Sequence, residues 1–274
     1  MRAVTALLSQ NADTIVRDHV LAKPDAIGTT VTLPLLAHGN VDSLMKGTFD
    51  RNLPPERRKL SDRQLQLLDK AAASGLLTKE FNWGLFKFGA SSQPESAGIG
   101  VALIGSLFMM LTVVILAVPF GVAAAVYLEE FAPKNRLTDL IEVNINNLAA
   151  VPSIVFGILG LAIFINFAGL PRSASLVGGL VLSLMTLPTV IIATRAAIGA
   201  VPPSIREAAL GVGASKMQTI THHVLPLAVP GILTGTIIGL AKALGETAPL
   251  LMIGMVAFVV EYPSTPRSEE HTSE

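Results

Sequence analysis

Ionisable side chains are scarce in the second half of the chain, so each one there is a candidate for chemistry. Lys242 and Glu246 stand four apart at the end of an uncharged run that begins after His223. That spacing puts both on one face of a helix. A lysine in apolar surroundings attracts an oxyanion, and the glutamate would hold the lysine or pair with a neighbouring subunit. A snorkelling lysine in a structural ion pair is the competing reading. Glu246 lies about 31 Å from Leu225 at 1.5 Å per residue, near the far end of a spanning helix and away from its midplane. Gly245 and Pro249 interrupt the helix here, and a helix restarting at Pro249 would offer free amides to an anion. Arg195 closes another uncharged run. Its guanidinium suits oxyanions, and it equally suits anchoring at the membrane edge. Asn144 and Asn147 share a face and either line a path or bond between helices. His222 and His223 are adjacent, hence point apart on a helix, and are not read as a metal site. The stretch Gly211–Lys216, GVGASK, mimics a phosphate loop without its spacing, and G-x-x-x-x-G-K-[ST] is absent. With no cysteine, disulfides, thiolate catalysis and Cys-based metal sites are excluded.

The elements that must carry these residues follow from composition. The 274 residues are 51% apolar and 15% charged, with mean hydropathy +0.58. A soluble domain averages about a quarter charged residues, so the balance points to a membrane protein. Zero formal net charge gives no case for a nucleic-acid partner. No Asp, Glu, Lys, Arg or His occurs between Glu95 and Glu129, Glu142 and Arg172, Arg172 and Arg195, or His223 and Lys242. About 20 apolar residues cross the hydrocarbon layer, which predicts spans over 101–127, 146–168, 174–195 and 225–244. The run Thr247–Val260 is short for a span and fits a re-entrant or interfacial segment. Residues 1–98 carry most of the charge and read as a small soluble domain. Within it, LSDRQLQLLDKAAASG predicts a helix capped by Ser61 or Asp62 and stopped by Gly75, with Leu65, Leu68 and Ala72 on one face. TTVTLPLL predicts a short edge strand limited by Pro34, and NLPPERRK a linker. Lys134, Arg136, Arg206 and Lys216 place 128–145 and 204–223 in the cytoplasm by the positive-inside rule, and 1–98 outside.

Residues 204–226, SIREAALGVGASKMQTITHHVLP, interrupt two apolar segments with a polar, glycine-punctuated stretch. Pro202 and Pro203 end the preceding helix. Ser204 and Glu207 have capping-box spacing. Gly211 and Gly213 permit a sharp break. A second short helix, SKMQTITHH, leads to Pro226 in the first turn of the next span. Gly231, Gly235 and Gly239 form a small-residue stripe for close helix packing. The expected product is a helix–turn–helix lying along the membrane surface.

This stretch resembles the EAA loop of ATP-binding-cassette importer permeases. Glu207, Ala208, Ala209, Gly213, Leu225 and Pro226 match its pattern, and His223 departs from an aliphatic preference. AVYLEEFAPKN, NINNLAAVPSIVFG, GLVLSLMTLPTVI and ALGETAPLLMIG extend the resemblance to the PstA family of phosphate-specific permease subunits, over about residues 96–260. ALGE also occurs in sulfate and molybdate permeases; the following TAPLL resembles the phosphate branch. The resemblance implies an all-α polytopic membrane protein with a MetI-like helical core over 99–262, a coupling loop at 204–226 and a small extracytoplasmic N-terminal domain. It implies a phosphate importer in a bacterial inner (plasma) membrane. The implied partners are a second permease (PstC type), an ATPase dimer (PstB type) that alone holds ATP and Mg, and an extracytoplasmic phosphate-binding protein (PstS type). This chain would then hold no cofactor and no metal and would not be an enzyme. Lys242, Glu246, Arg195 and Asn147 are the candidates for the substrate path. The rivals are a sulfate or molybdate permease and an intramembrane enzyme; the latter would need paired catalytic groups at one depth beyond Lys242 and Glu246. Family members have six helices, so the first and last are expected to be missing here. Met1–Val20 contains Arg2, Asp13, Arg17 and Asp18 and no apolar core, so it does not read as a signal peptide. RSEEHTSE, Arg267–Glu274, matches the translation of a common sequencing-adapter oligonucleotide and is set aside as an artefact.

Overall fold

The computed structural model describes residues 2–255 other than 50, 52, 55 and 56. The adapter-like tail 267–274, the end of the 247–260 run and parts of the 52–59 linker lie outside the described residues. Helices dominate, and no strand occurs among the described residues. The chain divides into two compact units, Met1–Val101 and Ala102–Glu274.

The first unit contains α1 (Arg2–Thr5), α2 (Ala12–Ala22), α3 (Gly39–Met45), α4 (Asp62–Ala73) and α5 (Gly84–Lys87). α4 begins at Ser61, whose hydroxyl accepts from the Gln64 amide while the Gln64 side chain accepts from the Ser61 amide. This reciprocal capping satisfies two of the free donors of the first turn. Leu65 and Leu68 are buried with Leu7, Val41, Leu44 and Leu60. Ala72 is exposed instead of sharing that face, because the apolar cluster does not reach the last turn. The predicted strand TTVTLPLL does not form. Residues 30–36 are irregular, and the nearest pairing is a lone antiparallel bridge between Leu8 and Ala37. Pro34 has no amide to donate, and no neighbouring strand is present to extend the bridge.

The second unit holds the apolar helices. α6 (Gly100–Val126), which starts at the unit boundary, runs on through a π-helical turn at Tyr127–Phe131. α7 (Arg136–Ala149) opens at Asn135, whose side chain accepts from the Thr138 amide. The stretch expected to be a cytoplasmic loop, 128–145, is therefore mostly helix. α8 (Ser153–Gly160) continues through a second π-helical segment, Leu161–Phe167. α7 and α8 meet at 101°, so the predicted span 146–168 is not one straight rod. Pro152 explains the bend: it lacks an amide hydrogen and disfavours helical geometry at Val151. The straight part, Ser153–Phe167, is about 22 Å long at 1.5 Å per residue, short of the roughly 30 Å hydrocarbon layer.

α9 (Ser175–Gly199) is the central helix, with Val177, Val181, Leu182, Met185 and Val190 buried. Two of its buried hydroxyls are satisfied within the helix, Ser183 and Thr186 donating to the carbonyls of Gly179 and Leu182, whereas the buried Thr194 hydroxyl has no hydrogen-bond partner among the described residues. α10 (Pro203–Gly211) and α11 (Lys216–Thr219) follow, then a π-helical turn at Ile220–Val224, α12 (Leu225–Leu244) and α13 (Ala248–Met252). Lys216–Leu244 forms one continuous helical rod, so the predicted separate helix SKMQTITHH is the first part of the span. The widened turn at Ile220–Val224 accommodates Pro226, which cannot donate to the preceding turn. α12 lies against α9 with backbones close together. A Cβ on Gly235 would sit 2.2 Å from the Ala193 Cβ, and one on Gly231 would sit 2.7 Å from that of Ala197. The glycine stripe is therefore the contact itself. Among the described residues, three helices, Gly100–Phe131, Ser175–Gly199 and Lys216–Leu244, are long and apolar enough to cross a membrane, and the bent α7–α8 pair would make a fourth.

Candidate functional site: the polar interruption and its anchors

α10 starts at Pro202 as N-cap with Pro203 inside the first turn, and no side chain caps it. The predicted box at Ser204 and Glu207 does not form, because Pro203 takes the first helical position and leaves Ser204 already inside the helix. The box appears one element later, where Ser215 and Gln218 exchange bonds at the start of α11. Gly213 ends α10 with φ +90°. Its amide donates to the Leu210 carbonyl, and the Ala214 amide donates to that of Ala209. This is a Schellman closure, which needs a left-handed residue at that point.

Arg206 fixes the interruption to the spans. Its Nε and Nη2 donate to one oxygen of Glu130, at 3.0 and 2.7 Å. Nη1 donates to the Val201 carbonyl at 2.7 Å and Nη2 to the Ile198 carbonyl at 3.0 Å. One guanidinium thus joins α10, the turn after α6 and the carboxyl end of α9, where unpaired carbonyls favour a cation. The pair is well covered, with side chains 23% and 10% exposed. Ile205 adds apolar contact to the cluster of Ile198, Val201, Val224 and Ala228. Beside the clamp, Glu130, Arg206, Leu210, Lys216, Thr219 and Ile220 line a cavity of about 180 Å³. The Lys216 ammonium stands 5.0 Å from the Phe131 ring centroid, within cation–π range.

Of the six residues matching the EAA pattern, Glu207, Ala208 and Pro226 are exposed, Ala209 is buried, Leu225 is half-buried and Gly213 forms the exposed bend. Leu210, Val212 and Met217 are exposed apolar neighbours of this surface. Glu207 and Leu210, three apart, share a face of α10. The result is a polar-and-apolar knob, exposed on one face and fastened to the spans on the other.

Arg195 sits one turn before the end of α9. Its Nε donates to Glu129 at 3.2 Å and its Nη2 to Glu142 at 2.8 Å. It is held by two carboxylates at the same end of α9 as the Arg206 clamp. Lys242 and Glu246 are not brought together. α12 ends at Leu244 with Gly245 as its cap, so the helical spacing fails before Glu246. No ion pair joins the two among the described residues. Asn147 is exposed on α7, and the Asn144 side chain donates to the Leu140 carbonyl in its own helix. α13 does restart behind Thr247, and Pro249 is buried against Gly157, where a Cβ would meet the Pro249 Cα at 2.7 Å. Glu129, Glu130 and Glu142 escaped the sequence reading, which used only the basic residues of the loops to orient them. The available signal was the acidic pair in YLEEF beside two arginines facing the same side.

Several long apolar helices packed on a central one define a multi-pass membrane protein. Residues 117–262 match the family described as binding-protein-dependent transport system inner membrane component, and the chain belongs to that family. Residues 1–55 match a domain of unknown function, DUF3333. The chain is 35% identical over 163 residues to the probable ABC transporter permease protein YqgI of Bacillus subtilis (strain 168), covering 59% of this chain and 55% of that protein. It is 36% identical over 191 residues to the phosphate transport system permease protein PstA of Mycobacterium leprae (strain TN), covering 68% and 62%. The chain thus spans a little over half the length of these curated relatives. Among solved structures, an amino acid ABC transporter with histidines aligns over 57% of this chain and 70% of its own, at 22% identity and TM-score 0.45.

Proposed function

We propose that this chain is a transmembrane permease subunit of an ATP-driven phosphate importer. It would form half of the translocation path in a bacterial inner membrane. It would pair with a second permease of PstC type, an ATPase dimer of PstB type and an extracytoplasmic phosphate-binding protein of PstS type. ATP and Mg would bind the ATPase, and this chain would catalyse nothing. Residues 1–98 would lie outside, and 204–226 would face the cytoplasm as the coupling element within a permease domain over 99–262. Glu207, Ala208, Ala209, Gly213, Leu225 and Pro226 would shape that element. Arg195 would serve the path indirectly, through its two carboxylates. Lys242, Glu246 and Asn147 stay as path candidates at separate positions.

The observation that carries this reading is the Arg206 clamp. A surface that is exposed yet bound rigidly to the ends of two long helices is suited to receive a push and pass it into the membrane. The phosphate assignment is supported by relatives named for phosphate transport. Glu207→Lys and Gly213→Val should abolish co-purification of the ATPase while membrane insertion persists; normal co-purification with both would refute the coupling role. In a reconstituted complex, ATPase stimulation by phosphate-loaded binding protein supports the substrate, and stimulation only by sulfate or molybdate overturns it.

A further inference from the structure

Residues 81–88 read Phe-Asn-Trp-Gly-Leu-Phe-Lys-Phe and include the only tryptophan of the chain. All four aromatic side chains are exposed: Phe81 67%, Trp83 66%, Phe86 48% and Phe88 43%. Leu85 is exposed among them. Phe81 and Trp83 meet edge to face with centroids 4.9 Å apart. A contiguous apolar patch of this kind marks a surface that something covers.

The backbone around the patch indicates what covers it. The Ile99 amide donates to the Leu85 carbonyl at 2.7 Å, Gly100 to Phe88 at 3.0 Å, and Gly98 to Gly89 at 2.8 Å. Gly98 approaches so closely that a Cβ would stand 2.4 Å from the Phe88 carbonyl oxygen. Gly100 is the first residue of α6, and α6 is a membrane span by length and composition. The aromatic segment is therefore bonded to the residues where the chain enters the apolar layer. It is held at the depth where tryptophan and other amphipathic rings gather in membrane proteins. Lys79 precedes the rings in sequence, with a long side chain that can reach lipid headgroups.

We propose that residues 81–88 are an interfacial anchor whose aromatic side chains lie among the lipid headgroups and upper acyl chains around the start of α6. The anchor fixes the entry depth of α6. The occupant is lipid, because the segment is hydrogen-bonded to Ile99 and Gly100, the residues from which the apolar helix α6 starts.

Trp83 reports on the site without mutation. The full chain is placed in nanodiscs of phosphatidylcholine brominated at shallow or deep acyl positions. The expected result is blue-shifted emission, quenching at least twofold stronger by shallow than by deep bromines, and little quenching by aqueous iodide. Water-like emission quenched by iodide overturns the proposal. Blue-shifted emission insensitive to any brominated lipid also overturns it and assigns the patch to a protein partner. Stronger quenching from deep bromines overturns the interfacial placement.

Discussion

Replacing Arg206 by methionine keeps an unbranched apolar stem and removes all four of its hydrogen bonds, two to Glu130 and one each to Ile198 and Val201. Glu130, with a side chain only 10% exposed, is left charged without its partner. Stranding one member of a covered pair costs about 3–5 kcal/mol. The Arg206 side chain is 23% exposed, which favours the lower end. α10 has nine residues and buries only Ala209, and an isolated helix of that length is marginal in water. Its order therefore depends on the clamp, on Ile205 and on the closure at Gly213. A loss of about 3 kcal/mol raises the locally open population on the order of a hundredfold. Hydrogen–deuterium exchange of the chain in nanodiscs measures this directly. Amides of 205–212 should exchange about a hundredfold faster in Arg206→Met, with amides around Gly235 unchanged. Adding Glu130→Gln to the variant removes the stranded charge and should recover a substantial part of the protection. Unchanged exchange in Arg206→Met, or a double variant as exposed as the single one, would refute the clamp as the source of rigidity.

Two further outcomes test the packing. Gly235→Leu forces side-chain atoms into Ala193, whose Cβ already lies 2.2 Å from the position of a Gly235 Cβ. Overpacking should cost at least about 1–3 kcal/mol and lower the thermal unfolding midpoint in detergent, while Leu substituted at exposed Ile237 should leave it unchanged. Arg195→Leu leaves Glu129 and Glu142 facing each other without a cation, so it should destabilise more than Glu142→Gln, which leaves Arg195 with Glu129; equal midpoints would show that the triad is not coupled.

The lengths of the apolar runs made the long helices legible, since charge-free stretches of that size have few other solutions. The break at Gly213 was equally plain, because the polar stretch needed a residue tolerant of positive φ. Direction was not legible. An uncharged run says nothing about bending, and 146–168 reads as one span until Pro152 is seen to turn it. Capping positions also slipped: Pro203 moved the start of α10, so the Ser-x-x-Glu pattern fell inside the helix while Ser215 and Gln218 formed the working box. Lys242 and Glu246 have helical spacing in sequence, but the helix closes at Gly245 before the second is reached. The partners of Arg195 and Arg206 lie 53 to 76 residues away, a distance over which no periodicity carries information. Of the candidate site, the exposed knob could be read in advance, and the ionic fastening beneath it could not.

The unbroken rod Lys216–Leu244 makes the interruption the short handle of a lever. Its 29 residues extend about 43 Å at 1.5 Å per residue. A tilt of about 10° about the inner tip would swing the opposite end by about 7 Å, more than the pitch of one helical turn. Because Gly231 and Gly235 fit so closely against Ala197 and Ala193, a swing of that size would have to carry α9 with it, so the two helices would tilt as one body.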